Sequence, residues 1–200
     1  MDEFQDRYLE HQNRKKDFIE NQLGHYKIGY EKKEKQAFNK VLRNRRSQRV
    51  FIKEEVSDEL INELCEAVRI SPSSCNRQAV YIRETSPEYA EQMFVGAKNW
   101  SKNANRVLML FADKIAYKSP NEKAFMPFLD MGYAGQSVCL MAETLELGLC
   151  FVNPNIREEN RQEFIDKYGD DYFGGSFIIG HYDNKAKIPP LRSIDKVKRK

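Results

Sequence analysis

Hydrophobic and polar positions change rhythm several times along these 200 residues, and each change predicts an element. Phe4, Tyr8, Phe18, Ile19 and Leu23 keep an incomplete helical period, while Ala37, Phe38, Val41 and Leu42 keep a cleaner one. Residues 1–44 therefore read as a helical arm of two segments, with Gly24 and Gly29 bracketing the break. Ser57 caps a further helix, because its hydroxyl can accept from the first turn while Asp58 and Glu59 sit at the positive end of the dipole. Leu60, Ile61, Leu64 and Val68 form its buried face, and Pro72 stops it.

Ala79–Arg83 reads as a short strand, Pro87–Ala97 as a helix, and Val107–Ala112 as a continuous apolar run of buried-strand length. Residues 113–129, mixed and interrupted by Pro120 and Pro127, read as a loop able to cover a pocket. Asp130 opens the most apolar helix of the chain, which runs to Leu147 and ends at Gly148. Leu149–Val152 reads as a strand, Asn155–Tyr168 as a helix, Tyr172–Gly175 as a loop packing on the core, and Phe177–Tyr182 as the last strand. Strands separated by helices, with an apolar helix at the centre, predict an α+β sandwich.

Composition narrows the classes. With 40% hydrophobic and 32% charged residues the chain has enough apolar surface to fold, and its length suits one globular body. The stretch Val138–Val152 carries Glu143 and Glu146 and cannot span a bilayer; no charged-then-apolar leader opens the chain, so a cytoplasmic location is expected. Cys65, Cys75, Cys139 and Cys150 show no CxxC spacing and read as reduced thiols, and the scattered His11, His25 and His181 do not suggest a metal site. Net charge is +3, with 13 Lys/Arg against 8 Asp/Glu in residues 1–49 and 20 against 22 beyond. A basic arm on a nearly neutral body does not indicate a nucleic-acid module.

Three separated segments carry candidate chemistry. Arg45-Arg46-Ser47-Gln48-Arg49 crowds guanidiniums around a hydroxyl, a set suited to phosphate. Pro72-Ser73-Ser74-Cys75-Asn76-Arg77-Gln78 offers hydroxyls and amides for a polar heterocycle or polyol. Arg192, after Pro189-Pro190-Leu191, returns a guanidinium near the end of the chain. Each segment alone also reads as an ordinary basic turn or helix end; their coincidence points to a phosphorylated cofactor.

Arg-Ser-x-Arg before a capped helix, Pro-Ser-x-x-Asn-x-Gln after it, an Asp-led apolar helix ending in Gly-Leu, and a late Arg resemble the FMN-dependent nitroreductase family over residues 43–195. That resemblance implies a central, mostly antiparallel sheet flanked by helices, with residues 45–200 as an FMN-binding domain and 1–44 as an extension. It implies a homodimer with FMN at the subunit interface, and NADH or NADPH as donor for nitroaromatics, quinones or related small compounds in a ping-pong exchange. No nucleic acid or membrane is expected as a partner. Carried over residue by residue, Arg45, Arg46, Ser47, Arg49 and Arg192 would hold the phosphate and ribityl chain. Pro72, Ser73, Ser74 and Asn76 would reach the flavin from the other subunit, Asn153, Pro154 and Asn155 would lie beside the ring, and Gln78 and Gln136 would add polar contacts. The flavin would carry the chemistry without a catalytic side chain.

The chain also departs from the pattern. Ala79 and Val80 stand where Pro-Trp is frequent, Pro190 where a basic residue often precedes the last Arg by two, and Asn155 where a carboxylate sometimes lies. These departures keep two alternatives open: a specialised flavin-dependent dehydrogenase or dehalogenase of a biosynthetic pathway, and a non-catalytic binding protein on the same fold. The arm either packs on a partner subunit, closes over a site, or docks on its own body.

Overall fold

A single strand organises the core by alternation. In the computed structural model, which describes residues 3–21, 29–191 and 193–198, β2 (Arg106–Ala112) sends Val107, Met109 and Phe111 to one face and Leu108, Leu110 and Ala112 to the other. Both sets are buried, as expected of a strand covered on two sides. β2 lies between β1 (Val80–Thr85) and β4 (Tyr172–Gly180), and β3 (Gly148–Val152) closes the far edge, giving an antiparallel sheet of order β1-β2-β4-β3.

Helices α3 (Asp58–Arg69) and α5 (Pro120–Thr144) cover one face through Leu64, Val68, Met131, Ala134 and Val138. The short helices α4 (Pro87–Met93) and α6 (Arg161–Tyr168) cover the other, where Phe94, Phe111, Phe164, Tyr168 and Phe173 form an aromatic cluster. α1 (Glu3–Asn21) and α2 (Lys32–Asn44) precede this body, and α7 (Ile194–Val197) follows it. The α+β sandwich with an antiparallel central sheet is therefore as expected. Gly24 and Leu23 lie outside the described residues. Among the described residues no helix is long and apolar enough to cross a membrane.

Several expected boundaries move, each for an identifiable reason. Residues 113–129 are not a loop: α5 begins at Pro120, ten residues before Asp130. Ser119 and Glu122 form a reciprocal capping box, each side chain accepting from the other's backbone amide at 3.2 Å. Pro120 occupies the first turn, where its missing N–H costs nothing, and Pro127 is tolerated within the helix. Two residues that looked like breakers are thus a start signal and one lost bond.

Tyr172–Gly175 is likewise strand rather than loop. β4 pairs Gly175 with Leu110 and Phe173 with Phe111, leaving Gly174 as the extra residue of a β-bulge. A Cβ on Gly174 would stand 2.6 Å from the Met131 sulfur, and one on Gly175, at φ +123°, would stand 2.4 Å from the Val152 carbonyl. β4 accordingly ends at Gly180, before His181 and Tyr182. The helix expected from Asn155 starts only at Arg161, because residues 155–157 are extended against 93–95: Val95 N donates to the Asn155 carbonyl at 3.0 Å and Arg157 N to that of Met93 at 2.9 Å. The Pro87 helix ends at Met93 for the same reason. β1 begins at Val80 and continues to Thr85, two residues beyond the expected end.

The arm departs most from its apolar pattern. α2 buries none of its residues, and Phe38 and Leu42 stay exposed. α1 docks on its own body through polar groups: Arg7 Nε donates to Asp113 at 2.9 Å, and His11 Nε2 lies 3.1 Å from the same carboxylate oxygen. Burial opposes ionisation of Asp113, but hydrogen bonds from His11, the Ile115 amide and Arg7 outweigh it and hold its pKa at about 2, against an ordinary 3.8. A depressed carboxylate stabilises the fold above its unfolded pKa, and that contribution is lost as pH falls through the folded value. In urea denaturation the stability advantage of wild type over Asp113→Asn is expected to be largest near about pH 5 and to shrink toward about pH 2. A gap independent of pH contradicts this account of the arm.

Candidate functional site

The first motif begins where α2 ends. Arg45 caps that helix, its amide donating to the Val41 carbonyl at 3.0 Å, and the chain then turns across β3, where Ser47 bridges to Leu149. Gln48 holds the turn: its amide N–H donates to the Leu149 carbonyl at 3.0 Å, and its side chain is buried. Gln48 Nε2 donates to the carbonyls of Val50 at 2.9 Å and Asn184 at 3.1 Å, and Oε1 accepts from the Ala186 amide at 2.9 Å. One buried side chain thus satisfies both segments and brings the C-terminal stretch back beside the first motif.

Between the two segments lies a groove of about 790 Å³. Arg43, Arg45, Arg46, Arg49 and Lys187 line it with Ser47 and, among the described residues, no carboxylate, while Ile188, Pro189 and Leu191 supply its apolar wall. Among the described residues none of these five cations is in an ion pair, whereas neighbouring Lys185 is held by Glu143. Arg46 turns one arm of its guanidinium back on the end of α2, donating to the carbonyls of Arg43 at 2.7 Å and Arg45 at 2.6 Å, which leaves its other donors available. Arg49 lies over the Trp100 ring at 5.8 Å from the centroid. Burial pushes the Cys139 thiol up to about 11, partly offset by the Arg45 charge, and raises Cys150, offset by Arg49, Ser47 and Arg45. These guanidiniums therefore stand close to α5 and β3. Uncompensated positive charge in a partly enclosed groove is a set of donors for an anion.

The second motif lines a different cavity. Pro72, Ser73 and Gln78, with Cys65, Tyr81 and Asp130, bound a space of about 330 Å³ between α3, β1 and α5. The turn here is unusual: Cys75, Asn76 and Gln78 have φ of +52°, +52° and +50°, left-handed values that non-glycine residues seldom adopt. Ser74 N donates to Asp130 Oδ1 at 2.9 Å, Gln78 N donates to Ser73 Oγ at 3.0 Å, and Gln78 Nε2 donates to Asn76 Oδ1 at 3.3 Å. Asp130 also accepts from the Tyr117 hydroxyl at 2.9 Å; burial raises its pKa, partly offset by the Ser74 amide, Tyr117 and Arg77.

Asn153, Pro154 and Asn155 form an exposed turn at the end of β3, pinned to residues 94–97, and Gln136 is exposed on α5. Arg192 lies outside the described residues, although its neighbour Leu191 lines the cationic groove. Within one chain, then, the first motif and the C-terminal segment share a groove and the second motif occupies another. Sequence reasoning passed over Gln48 and Lys187; Gln48 sat inside the quoted motif, but nothing in its spacing marks a side chain that joins distant backbone.

A family model described as "Nitroreductase family" matches residues 42–89, the stretch holding both leading motifs and α3. No curated protein matches the sequence. Among solved structures the fold is similar to a nitroreductase from Desulfovibrio desulfuricans in complex with FMN, at 20% identity and TM-score 0.70, covering 82% of this chain and 95% of that one. It is similar to a nitroreductase family protein from Streptococcus pneumoniae, at 14% identity and TM-score 0.71, covering 82% and 99%. An NAD(P)H:FMN oxidoreductase from Staphylococcus epidermidis gives 18% identity and TM-score 0.68, covering 88% and 99%. The fold is the nitroreductase fold.

Replacing Gln48 with Leu keeps the volume but removes every side-chain bond between the two segments. Limited proteolysis at Lys185 and Lys187 is expected to accelerate at least about tenfold as the C-terminal stretch opens more often. Unchanged cleavage would mean that Gln48 does not hold the groove together.

Proposed function

We propose that this chain is a flavin-dependent oxidoreductase that binds FMN, takes electrons from NADH or NADPH, and passes them to a small oxidised compound such as a nitroaromatic or quinone. The observation that carries this reading is the groove of five cations that have no ion pair and no carboxylate beside them among the described residues. A phosphate monoester is doubly charged near neutral pH and matches that donor set, since each guanidinium offers a planar fork. Arg45, Arg46, Ser47 and Arg49 would hold the phosphate, with Arg192 completing the set. Residues 45–200 form the flavin-binding unit in this reading, and 1–44 its extension.

FMN, when bound, supplies the hydride chemistry, and the protein supplies position, charge and access. The Asn153-Pro154-Asn155 turn offers exposed amides to the polar edge of a ring, and Gln136 adds another exposed amide on α5. Pro72, Ser73 and Gln78 line the other cavity, with Ser74 and Asn76 in the same turn, so a complete site draws them from a second copy of the chain. α5 favours that arrangement: Phe125, Phe128, Leu129 and Tyr133 are about half exposed or more and form one apolar stripe. Leu191, Ile194 and Val197 continue unburied apolar surface along the C-terminal segment. A homodimer covering both explains why so much apolar surface faces outward. Donor and acceptor would then use the same open ring face in turn, which gives ping-pong kinetics.

A specialised dehydrogenase or dehalogenase is the second reading. Buried Ala79 precedes β1 and half-buried Val80 opens it at the second cavity, where a bulkier aromatic wall would narrow the acceptor space. Turnover of simple nitroaromatics comparable to that of quinones argues against this specialisation.

The purified protein is expected to be yellow and to bleach on addition of NADH or NADPH without oxygen. Arg49→Ala and Arg45→Ala should each weaken FMN roughly 10- to 100-fold, the equivalent of one charge-assisted hydrogen bond. Colourless protein that takes up no FMN contradicts the reading. Phe128→Glu should halve the mass seen by light scattering and remove the flavin with it; a flavin-loaded monomer would place the whole site within one chain.

A further inference from the structure

The N-terminal helix lies outside the stretch matched by the family model, yet it grips the part of the second motif whose backbone is least relaxed. Arg7, His11 and Arg14 follow a helical period of four and three residues and present one face to the body. That face is polar, which is why an apolar pattern did not reveal it. His11 is buried, with Nδ1 3.0 Å from the Arg77 carbonyl and Nε2 3.1 Å from Asp113 Oδ2. Arg14 Nε donates to the same Arg77 carbonyl at 3.0 Å.

Arg77 is the hub. Its side chain is fully buried, its guanidinium donates to Glu122 at 2.6 Å, and it lies 5.8 Å from the Tyr117 ring centroid. Cys75 and Asn76 precede it and Gln78 follows it, all in the left-handed region. Three such non-glycine residues within four positions persist only where the surroundings over-determine them. Asp130 holds the start of the turn through the Ser74 amide, and Glu122 holds its middle through the Arg77 guanidinium. Arg14 holds its backbone through the Arg77 carbonyl, with the His11 Nδ1 2.6 Å from Arg14 Nη2 and fixing that side chain in place.

We propose that α1 is a positioning clamp for this turn: His11 and Arg14, acting through the Arg77 carbonyl, keep Ser73, Ser74 and Asn76 preorganised for the flavin. The inference rests on the functional reading above and adds residues to it that contact no flavin themselves. Preorganisation acts on ligand affinity by removing the cost of ordering the turn at the moment of binding. Arg7 provides the internal contrast, because it joins the same helix to Asp113 and Asp171 without touching the turn.

The test uses the full chain. Hydrogen exchange of the Ser74, Asn76, Arg77 and Gln78 amides is measured first without flavin; FMN affinity and the visible circular dichroism of bound FMN are measured next. His11→Ala and Arg14→Ala are expected to speed exchange in the turn about tenfold, weaken FMN by about the same factor and alter the flavin dichroism. His11→Asn, whose amide can reach the Nδ1 position, should restore most of the effect, and Arg7→Ala should leave all three readouts near wild type. Unchanged exchange in a protein that takes up FMN normally overturns the clamp alone. Faster exchange with unaltered FMN affinity and dichroism reduces α1 to a docking element and overturns its role at the site. Wild-type protein that takes up no FMN overturns the reading of the site itself, and the clamp's role there with it.

Discussion

A single buried amide holds the candidate site together. Gln48 sits where the chain enters the body and binds the backbone of Asn184 and Ala186, more than a hundred residues away in sequence. Burying an amide is costly unless its donors and acceptor are all answered, and here they are. Because that requirement fixes both segments against each other, five cations end in one groove with no carboxylate among the described residues that line it. Like charges held together are unfavourable in an empty groove, so the arrangement stabilises the folded chain least and an anionic ligand most.

The rest of the architecture serves that junction. β3 gives the first motif an edge to lie on, through the Ser47 bridge and the Gln48 amide. Gly174 in the β4 bulge lets Met131 of α5 approach the sheet closely, which seats the long helix against its centre, and Gly175 leaves room for the Phe151 ring of the neighbouring strand. α5 in turn presents Asp130 to the second motif and an unburied apolar stripe to the outside. The two candidate motifs thus lie at different cavities of one chain.

Much of this was legible in the residues. The continuous apolar run of β2, the Ser57 cap and the Arg-Ser-x-Arg to Pro-Ser-x-x-Asn order led to the correct sandwich. What escaped has a common cause: features set by a partner distant in sequence. Pro120 and Pro127 were read as breakers because a capping box at Ser119 cannot be distinguished from a polar loop by composition. Tyr172–Gly175 was read as a loop because a bulge and a loop ask for the same glycines. The arm's docking face was invisible because it is built from Arg7, His11 and Arg14, and hydrophobic periodicity does not report polar interfaces.

The most direct test of the cationic groove is a pair of titrations, with FMN and with riboflavin, which differ only by the phosphate. If the groove is the phosphate site, FMN binds at least about a hundredfold more tightly at low salt, and the difference narrows as ionic strength rises. Equal affinity for the two flavins would show that the clustered guanidiniums hold no phosphate, and the assignment built on them would be wrong.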